Sequence, residues 1–313
     1  DADDVEAFVE IGGGVDPFGY RTTIRLVGLD DGSVGFREER SDTVVPIDHC
    51  QVAHEQLSAV LRDVEVARGV ELTLRTSVAT GAVTARWTRP EDRRRRNERR
   101  RTNAAPGRSV SGLPADVHIG ARAFLIERVA GAKLRVSAPS FFQSGPDAAE
   151  LLVDAVERAA PELADADHAV DAYGGIGLFA ATAMRDVRHV TLIESARSSC
   201  FDATENLAHR SGDGPSSVDI VRSDVGDWQP PERMDPIAVV VADPARPGLA
   251  KPGVAAISRM QPGVVVLVSC DPVAVARDAR LLDDAGYRLA GVEVLDLFPQ
   301  TPHVECVSRF VRV

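Results

Sequence analysis

Cysteine is scarce in this sequence, and so are long apolar runs. The 313 residues include four cysteines, at positions 50, 200, 270 and 306, and no two of them form a C-x-x-C pair. This spacing excludes the usual zinc-ligand patterns and argues against a disulfide framework, so we expect reduced thiols and no bound metal. No apolar run approaches the roughly 18 residues of a membrane helix, and the acidic start lacks the features of a signal peptide. A cytoplasmic protein without membrane contact is expected.

Positive charge is also in short supply, except in one segment. The formal net charge of −11 argues against a protein that binds polyanions over its whole surface. Residues 86–108 nevertheless contain ten arginines against three acidic residues, a local balance of +7 that leaves −18 for the rest of the chain. The run at 93–101 is either a solvated loop or an arm that contacts phosphates. The run by itself does not decide between the two.

The pattern of apolar residues changes near residue 139. Residues 1–138 contain alternating segments typical of short β-strands, with one helix expected from about Glu55 to Arg68. From Pro139 onward, helical and strand patterns alternate, which predicts βαβ units and a parallel sheet. A helix is expected at 146–160, and strands are expected at 168–172, 189–194, 217–222, 237–242, 264–269, 290–297 and 304–312. Because no helix separates the last two strands, we expect them to form a hairpin.

Five successive strands of this predicted sheet end beside a residue that can do chemistry. The residues are Asp171, Glu194, Asp224, Asp243 and Cys270. Ligands bind at the carboxyl ends of the strands in an open α/β sheet. A single acid there would usually be a solvated loop residue, and a lone cysteine is usually a buried structural residue. Because all five strands deliver such a residue to one edge, we expect a site there, with Cys270 as a candidate nucleophile.

A glycine-rich turn follows the first of these strands, in Gly174-Gly175-Ile176-Gly177. Glycines let the backbone turn tightly and approach a ligand at a helix N-terminus. The last two glycines and Ala180 fit the G-x-G-x-x-A pattern of dinucleotide-binding proteins, and Glu194 lies near the ribose-binding position. The same acid suits the ribose of S-adenosylmethionine. Asp171 favours that cofactor, because it would attract a positive group and repel a pyrophosphate. A nicotinamide-dependent oxidoreductase stays open as an alternative.

The C-terminal half also contains an ordered set of short motifs. They are Ser140-Phe-Phe-Gln143, Asp171-x-Tyr-x-Gly-x-Gly-Leu-Phe179, Asp243-Pro-x-Arg-x-Gly248, Val268-Ser-Cys-Asp-Pro272 with Ala276-Arg-Asp278, and Phe298-Pro-Gln-Thr-Pro-His303-Val-Glu305. In this order they resemble the S-adenosylmethionine-dependent RNA uridine-5-methyltransferases, which form 5-methyluridine in tRNA and large rRNA. The resemblance covers 139–313, and residues 20–136 are more loosely similar to the family's central RNA-contacting domain.

The resemblance implies the fold and the division into domains. It implies an α/β class I methyltransferase fold, a doubly wound seven-stranded sheet whose last strand is antiparallel, joined to a β-rich N-terminal domain. Residues 139–313 would form the S-adenosylmethionine-binding catalytic domain. Residues 1–138 would contact RNA.

The resemblance also implies residue roles. Cys270 would be the nucleophile and Glu305 the base, while Asp243 would hold the target uracil. Residues expected to line the cofactor pocket are Gln143, Asp171, Tyr173, Gly174, Gly175, Gly177, Glu194, Asp224 and Asp243.

The chemistry of uracil explains these residue types. C5 of uracil is too weak a nucleophile to take a methyl group from a sulfonium, but thiolate addition at C6 turns the ring into an enolate. After methyl transfer, a carboxylate such as Glu305 can take the C5 proton so that the thiolate leaves. Without the motif before it, Glu305 would be interpreted as an exposed strand residue paired with a cation. Cys306 points to the other face of that strand, and we expect it and Cys200 to be structural.

The sequence departs from the family pattern in several places. Ala245 replaces a proline and removes some rigidity from its loop, and Asp271 stands where asparagine is common. A carboxylate beside Cys270 would oppose thiolate formation unless it is turned away or paired. Cys50 resembles the last of four iron–sulfur ligands found in some members; the other three are not in this sequence, so we expect no cluster. The small N-terminal RNA-binding barrel of many members is also not in this sequence.

Since the resemblance implies RNA, we interpret the arginine run as a phosphate-contacting arm. The arginines expected to bind tRNA or rRNA are Arg93, Arg94, Arg95, Arg96, Arg99, Arg100, Arg101 and Arg246. No DNA partner is expected. His303 could orient a carboxylate or phosphate, or cap its loop. A non-catalytic RNA-binding relative is a further alternative, and it would be expected to lack the cysteine or the glutamate.

Overall fold

The computed structural model describes residues 9–39, 41–89, 109–210, 216–231 and 234–313. In these residues the chain divides into two compact units. The larger unit contains residues 9–15, 128–136 and 140–313, and the smaller unit contains residues 16–127 and 137–139. The division into 1–138 and 139–313 expected from the sequence stays a prediction; residues 9–15 and 128–136, from its first part, belong to the larger unit.

The strands of the described residues are numbered in chain order. They are β1 Val9–Gly14, β2 Thr23–Gly28, β3 Val34–Arg37, β4 Val44–Pro46, β5 Glu65–Val66, β6 Glu71–Thr76, β7 Val83–Thr88, β8 Val110–Ser111, β9 His118–Ile119, β10 Phe124–Val129, β11 Ala132–Ser137, β12 His168–Ala172, β13 His189–Glu194, β14 Ser217–Arg222, β15 Val239–Ala242, β16 Val264–Ser269, β17 Tyr287–Asp296 and β18 Glu305–Arg312.

The helices of the described residues are numbered in the same way. The α-helices are α1 Glu55–Leu61, α2 Pro146–Ala159, α3 Leu178–Ala181, α4 Arg197–Asn206, α5 Ala250–Met260 and α6 Pro272–Asp284, and short 3₁₀ helices span Pro161–Asp165 and Ala208–Arg210. Pro146 occupies the first turn of α2, where its missing N–H leaves no hydrogen bond unmade.

An eight-stranded sheet forms the centre of the larger unit. Its strand order is β1, β17, β18, β16, β15, β12, β13, β14, and β18 alone runs antiparallel to its neighbours. Apart from β1, this is the seven-stranded doubly wound sheet of a class I methyltransferase that the resemblance implies. The hairpin expected for the last two strands is confirmed as β17 and β18.

Apolar residues of the central strands supply two cores, one on each face of this sheet. In β16, Val264, Val266 and Val268 pack into the cluster that contains the apolar side of α2. The alternate residues Val265 and Leu267 pack into the cluster that contains α5. Because successive side chains of a strand point to opposite faces, a strand covered on both sides must be apolar throughout. All six residues of β16 are buried for this reason.

The eighth strand, β1, is not among the strands predicted from the sequence. It pairs in parallel with β17 at one edge of the sheet, with Val9 opposite Val292. Its residues are mostly exposed, and Ile11 is 92% exposed. Strands are recognised in a sequence by an alternating or a continuous apolar pattern. An exposed edge strand that ends in three glycines has neither pattern, so the sequence does not predict β1.

The smaller unit is built on a six-stranded sheet in the order β4, β3, β2, β6, β7, β9. Helix α1 packs Leu57, Val60 and Leu61 into the core of this unit. The helix expected to reach Arg68 ends at Leu61, so that part of the prediction is wrong. The chain instead forms the short strand β5, which pairs with β8 far along the chain. Such a non-local pairing leaves no periodic signal in the local sequence.

Candidate active site

Two antiparallel strands bring the candidate nucleophile and the candidate base together. Cys270 directly follows β16, and Glu305 is the first residue of β18. The last pair in the register of these strands is Ser269 opposite Cys306. One step further along the same register lie Cys270 and Glu305. Residues opposite each other on antiparallel strands have Cβ atoms about 4.5–5.5 Å apart, so the thiol and the carboxyl share one site.

Burial controls the protonation of both groups. Glu305 is 4% exposed, and burial together with the nearby Asp243 raises the pKa of its carboxyl to about 9. Burial and the charge of Glu305 raise the pKa of the half-buried Cys270 thiol; Asp243 adds to this shift and the Arg246 guanidinium opposes it. At pH 7 these two groups are therefore a thiol and a carboxylic acid, and not their ions.

Asp243 follows β15, the neighbour of β16 in the sheet. Its Oδ2 accepts a hydrogen bond of 3.1 Å from Nε2 of Gln143, a buried residue just before α2. Burial raises the pKa of Asp243 to about 7, although the bond from Gln143 favours the ionised form. The next residue, Ser144, donates a hydrogen bond of 3.1 Å to the carbonyl of Leu297. The segment that contains Gln143 is therefore hydrogen-bonded both to Asp243 and to the loop between β17 and β18, which precedes Glu305.

A buried carboxylate beneath this site was not assigned a role from the sequence. Asp278, on α6, is fully buried and accepts hydrogen bonds from the backbone N–H groups of Leu249 at 2.7 Å and Ala250 at 3.1 Å. The Arg277 guanidinium also donates to it, at 2.8 Å. Asp278 therefore anchors the segment that connects Asp243 to α5. A signal was available, since the buried residues of α6 are spaced four apart and Asp278 is the polar one among them.

A second buried carboxylate supports the segment of Gln143. Asp202, on α4, has no exposed surface and accepts a hydrogen bond of 2.6 Å from the hydroxyl of Ser140. The guanidinium of Arg135 also donates to Asp202. The motif that begins at Ser140 is thus held against α4, 62 residues further along the chain.

The glycine-rich turn predicted for cofactor binding follows β12. Gly175 and Gly177 have φ angles of +55° and +84°, which a side chain rarely permits, and a Cβ on Gly174 would overlap its neighbours. The N–H of Gly175 donates to Oε2 of Glu194 at 3.1 Å. The turn after β12 and the end of β13 therefore meet at the same edge of the sheet.

Asp171 lies beneath this turn and has one oxygen without a partner. It is 1% exposed, and its Oδ2 accepts a hydrogen bond of 3.1 Å from the N–H of Ala180. Oδ1 is buried without a hydrogen-bond partner among the described residues. Burial, with Asp243 and Glu194 close by, raises the pKa of Asp171 to about 7. A buried unpaired carboxylate oxygen is costly, and it indicates a place where a donor or a cation can bind.

Tyr173 directly precedes this turn, and Asp224 follows β14. Tyr173 has a φ of +61°, and a Cβ on Gly253 of α5 would meet its hydroxyl at 2.8 Å. Burial, with Asp224 and Asp278 nearby, raises the pKa of Tyr173 to about 12. Asp224 is exposed after β14, and its Oδ1 accepts a hydrogen bond of 2.9 Å from the N–H of Gly226. The phenol of Tyr173 is thus directed towards α5.

An arginine and a histidine connect the two loops that carry the candidate acids. Nη2 of Arg246 lies 3.1 Å from Nε2 of His303. A guanidinium can only donate, so Nε2 of His303 accepts and the imidazole proton is assigned to Nδ1. Arg246 is three residues after Asp243 and His303 is two residues before Glu305. The roles expected for His303 from the sequence do not include a contact with an arginine.

The departures from the family pattern, Asp271 and Ala245, lie in loops next to the candidate nucleophile and the candidate acid Asp243. The Asp271 carboxylate caps α6 and accepts a hydrogen bond of 2.9 Å from the N–H of Val273. It is therefore paired, which is the condition under which it does not oppose ionisation of Cys270. Ala245 lies in a tight turn closed by the N–H of Gly248, which donates to its carbonyl at 2.8 Å.

Comparison with known proteins identifies the family of the chain. No protein-family model matches it. An uncharacterized RNA methyltransferase of Halalkalibacterium halodurans is 30% identical over 333 residues, and the alignment covers 94% of this chain and 71% of that protein. The chain belongs to the RNA methyltransferase family.

Other members of the RNA methyltransferase family are longer than this chain. Uncharacterized RNA methyltransferases of Streptomyces coelicolor and Streptomyces avermitilis are 33% and 32% identical, over 92% of this chain in both cases. The chain spans 63% and 66% of their lengths. The solved Pyrococcus abyssi tRNA (uracil-54, C5)-methyltransferase, in complex with S-adenosyl-L-homocysteine, matches 97% of this chain and 79% of its own, with a TM-score of 0.68 and 26% identity. This likeness agrees with the class I methyltransferase fold.

The candidate site of this chain consists of two neighbouring groups of residues and some outlying residues. One group contains Cys270, Glu305, Asp243 and Gln143; the other contains Asp171, Glu194 and the glycine-rich turn. Asp224, the Tyr173 phenol and Arg246 lie at the margins. The arginines predicted at 93–101 lie outside the described residues.

Metal-binding clusters, membrane-spanning helices and disulfide bonds are all absent from the residues that the structure describes. No group of three or more histidine, cysteine or acidic side chains there could hold a metal ion. None of the helices there is both long and apolar enough to cross a membrane. The four cysteines are free, with Cys200 and Cys306 buried.

Proposed function

We propose that this chain transfers a methyl group from S-adenosylmethionine to C5 of a uridine in tRNA or rRNA. The observation that carries the proposal is the convergence of Cys270, Glu305 and Asp243, from three strands, at one edge of the sheet. Two further findings support it. The relatives are named RNA methyltransferases, and the solved Pyrococcus abyssi enzyme is named for C5 of uracil-54 in tRNA.

The residues after β12 and β13 fit a cofactor that carries positive charge. The unpartnered Oδ1 of Asp171 could accept from an ammonium group, and Glu194 could accept from ribose hydroxyls. S-adenosylmethionine, when bound, supplies an activated methyl group on a sulfonium. A nicotinamide dinucleotide would bring a pyrophosphate to the same turn, where two buried or half-buried acids would repel it. No observation favours that alternative.

In the proposed reaction Cys270 begins the chemistry on the uracil. Its thiol gives its proton to solvent water, the resulting thiolate forms a bond to C6, and the π electrons of the C5–C6 double bond move towards C5 and O4. Asp243, fixed by Gln143, would hold the edge of the uracil. When C5 carries the methyl group, Glu305 takes the C5 proton. The electrons of that C–H bond restore the C5–C6 double bond and expel the Cys270 sulfur as a thiolate.

The proton states of the ligand-free site impose a condition on this mechanism. Burial raises the pKa of Glu305 to about 9, so Glu305 has to lose a proton before it can act as a base. A carboxylate with a raised pKa is a stronger base than an ordinary one once it is ionised. The same burial that delays ionisation therefore favours the final proton transfer.

We also propose that RNA is contacted by residues 1–138 and that cofactor binding and chemistry belong to residues 139–313. Within the first segment, the arginine run is proposed to contact phosphates, and Arg246 is proposed to do so at the mouth of the site. Together the contacts would give RNA binding a steep dependence on salt.

The test is covalent trapping with tRNA and rRNA transcripts that contain 5-fluorouridine, in the presence of S-adenosylmethionine. Fluorine at C5 cannot leave as a proton, so the reaction should stop as a covalent protein–RNA adduct that carries one methyl group. Wild type should form an adduct that survives denaturing electrophoresis, and mass spectrometry should place it on Cys270. Cys270→Ala should form none.

The matched control is Cys50→Ala, which removes another partly exposed thiol that lies in the smaller unit. It should trap RNA as wild type does. An adduct that persists in Cys270→Ala would contradict the assigned nucleophile. Absence of any adduct in a protein that binds S-adenosylhomocysteine would contradict the proposed chemistry on these RNAs.

A further inference from the structure

The six-stranded sheet of the smaller unit has one apolar face and one polar face. Leu26, Leu72 and Trp87 stand in register across β2, β6 and β7 and contribute to the core on the side of α1. Neighbouring residues of a strand point to the opposite face. The residues between the core positions therefore define a second face, which we call the outer face.

The outer face is rich in arginine and threonine. Its central row is Arg25, Thr73 and Arg86, in register on β2, β6 and β7. The row beside it is Thr23, Arg75 and Thr84, and the hydrogen bond of 2.9 Å from Nε of Arg75 to the hydroxyl of Thr23 shows that these side chains share a face.

The arginines of the outer face differ in whether they have partners. Arg75 also donates to the carbonyl of Ser137 at 3.1 Å, and Arg37 on the adjacent β3 pairs with Glu71 at 3.4 Å. By contrast, the guanidinium groups of Arg25 and Arg86 make no hydrogen bond or ion pair with any residue that the structure describes. Arg25 is exposed and Arg86 is half-buried.

The strand register fixes the separation between the backbones of these two arginines. Arg25 and Arg86 lie on strands that flank β6, so their backbones are about 9–10 Å apart. The hydroxyl of Thr73 lies between them in the same row. Glu71 contributes one carboxylate to the same face, two residues before Thr73 on β6, and it pairs with Arg37. The charges of Arg25 and Arg86 are therefore left in excess on this face. In a chain with a net charge of −11 such a pair on a flat polar face stands out from its surroundings.

We propose that the outer face of this sheet, centred on Arg25, Thr73 and Arg86, binds the phosphate backbone of the substrate RNA. The proposal rests on the proposed function, because it takes the partner to be the RNA that is methylated. Guanidinium groups bind phosphate oxygens through paired hydrogen bonds, and the hydroxyl of the partly exposed Thr73 adds a further donor. Such contacts position an RNA without reading its sequence. The face would therefore set affinity and orientation, whereas the sheet edge of the larger unit would carry the chemistry.

The experiment measures binding of a fluorescein-labelled tRNA transcript at salt concentrations from 50 to 200 mM. The variant is Arg25→Gln combined with Arg86→Gln, and a second variant replaces both arginines with lysine. Each phosphate contact contributes about 0.7–0.9 to the slope of log K against log salt, so the glutamine variant should lose about 1.4–1.8 from its slope. Between 50 and 200 mM salt, wild type should then lose about 7- to 12-fold more affinity than the glutamine variant. The lysine variant should keep most of the slope, because it keeps both charges.

The matched control is Arg62→Gln combined with Arg68→Gln, which removes the same charge from the same unit but outside β2, β6 and β7. Its slope should stay within about half a unit of wild type. Equal slopes in wild type and the Arg25 and Arg86 glutamine variant would overturn the proposal, and so would an equal loss in the control. The assay is independent of methyl transfer. Covalent trapping by wild type together with an unchanged slope in the glutamine variant would contradict RNA binding by the outer face but would still support the proposed function.

Discussion

Replacing Asp278 by asparagine should destabilise the larger unit far more than replacing any exposed acid of the same helix. The Asp278 carboxylate accepts bonds from the N–H groups of Leu249 and Ala250 and from the Arg277 guanidinium. Asparagine keeps one oxygen but turns the other position into an NH₂ donor. One buried N–H group would then face a donor, and the guanidinium would lose its counter-charge.

The magnitude follows from these contacts. Leaving a buried donor unpaired costs about 1–3 kcal/mol, and a hydrogen bond to a charged group contributes about 1.5–3 kcal/mol. Asp278 has no exposed surface, but the side chain of Arg277 is 45% exposed, so solvent screening reduces the contribution of the ion pair. We therefore expect Asp278→Asn to lower the free energy of unfolding by about 2–4 kcal/mol, mostly from the bonds to the two backbone N–H groups.

The assay is urea unfolding followed by tryptophan fluorescence. The chain has two tryptophans; Trp228 belongs to a core of the larger unit and Trp87 to the smaller unit. In a Trp87→Phe background, Trp228 reports on the larger unit alone. The matched control is Asp284→Asn on α6, an exposed acid whose nitrogen–oxygen distance to Arg280 is 3.9 Å, for which about 0–0.5 kcal/mol is expected. A loss below about 1 kcal/mol for Asp278→Asn, or one equal to the control, would refute the anchoring role.

Two other predictions concern charge in the candidate site. Burial raises the pKa of Asp171 to about 7, so a ligand whose ammonium group binds there should bind more tightly as the pH rises from 6 to 8, where the carboxyl loses its proton. Calorimetric titration with S-adenosylhomocysteine, which carries such an ammonium group, should show this trend, and in Asp171→Asn the trend should be weaker. The same raised pKa means that the stability contributed by the neutral carboxyl is present below about pH 4 and is lost as the pH rises through about 7. Arg246 opposes the upward shift of the Cys270 pKa. Arg246→Gln should therefore reduce the thiolate fraction and slow alkylation of Cys270 by iodoacetamide at pH 8, measured by peptide mass spectrometry. An unchanged rate would show that Arg246 does not act on the thiol.

Much of the larger unit could be predicted from the order of residues along the chain. The strands at 168–172, 189–194, 217–222 and 264–269 form where the sequence predicts them. β12, β13 and β16 are largely buried, and their apolar stretches are visible without knowledge of their neighbours. β14 lies at the edge of the sheet and is only partly buried, so it is predicted from the alternation of helical and strand patterns. The acids and the cysteine that end these strands follow directly, because a residue after an apolar run lies at the carboxyl edge of a parallel sheet.

Elements that depend on distant partners could not be predicted in this way. The edge strand β1 lacks an apolar pattern because most of its residues face solvent. The end of α1 is decided by the pairing of β5 with β8. The outer face of the smaller sheet becomes visible only through the register of β2, β6 and β7.

By itself, the sequence determined which residues can react and where they lie relative to their own strands. Cys270 after β16 and Asp243 after β15 are consequences of local apolar patterning. Only the tertiary structure decided which of them meet. Glu305 stands opposite Cys270 because β18 runs antiparallel to β16 with one particular register, and a shift of one residue would turn Glu305 to the other face. The physical reason is that register and burial arise from contacts between distant segments. Those same contacts raise the pKa of Glu305 to about 9.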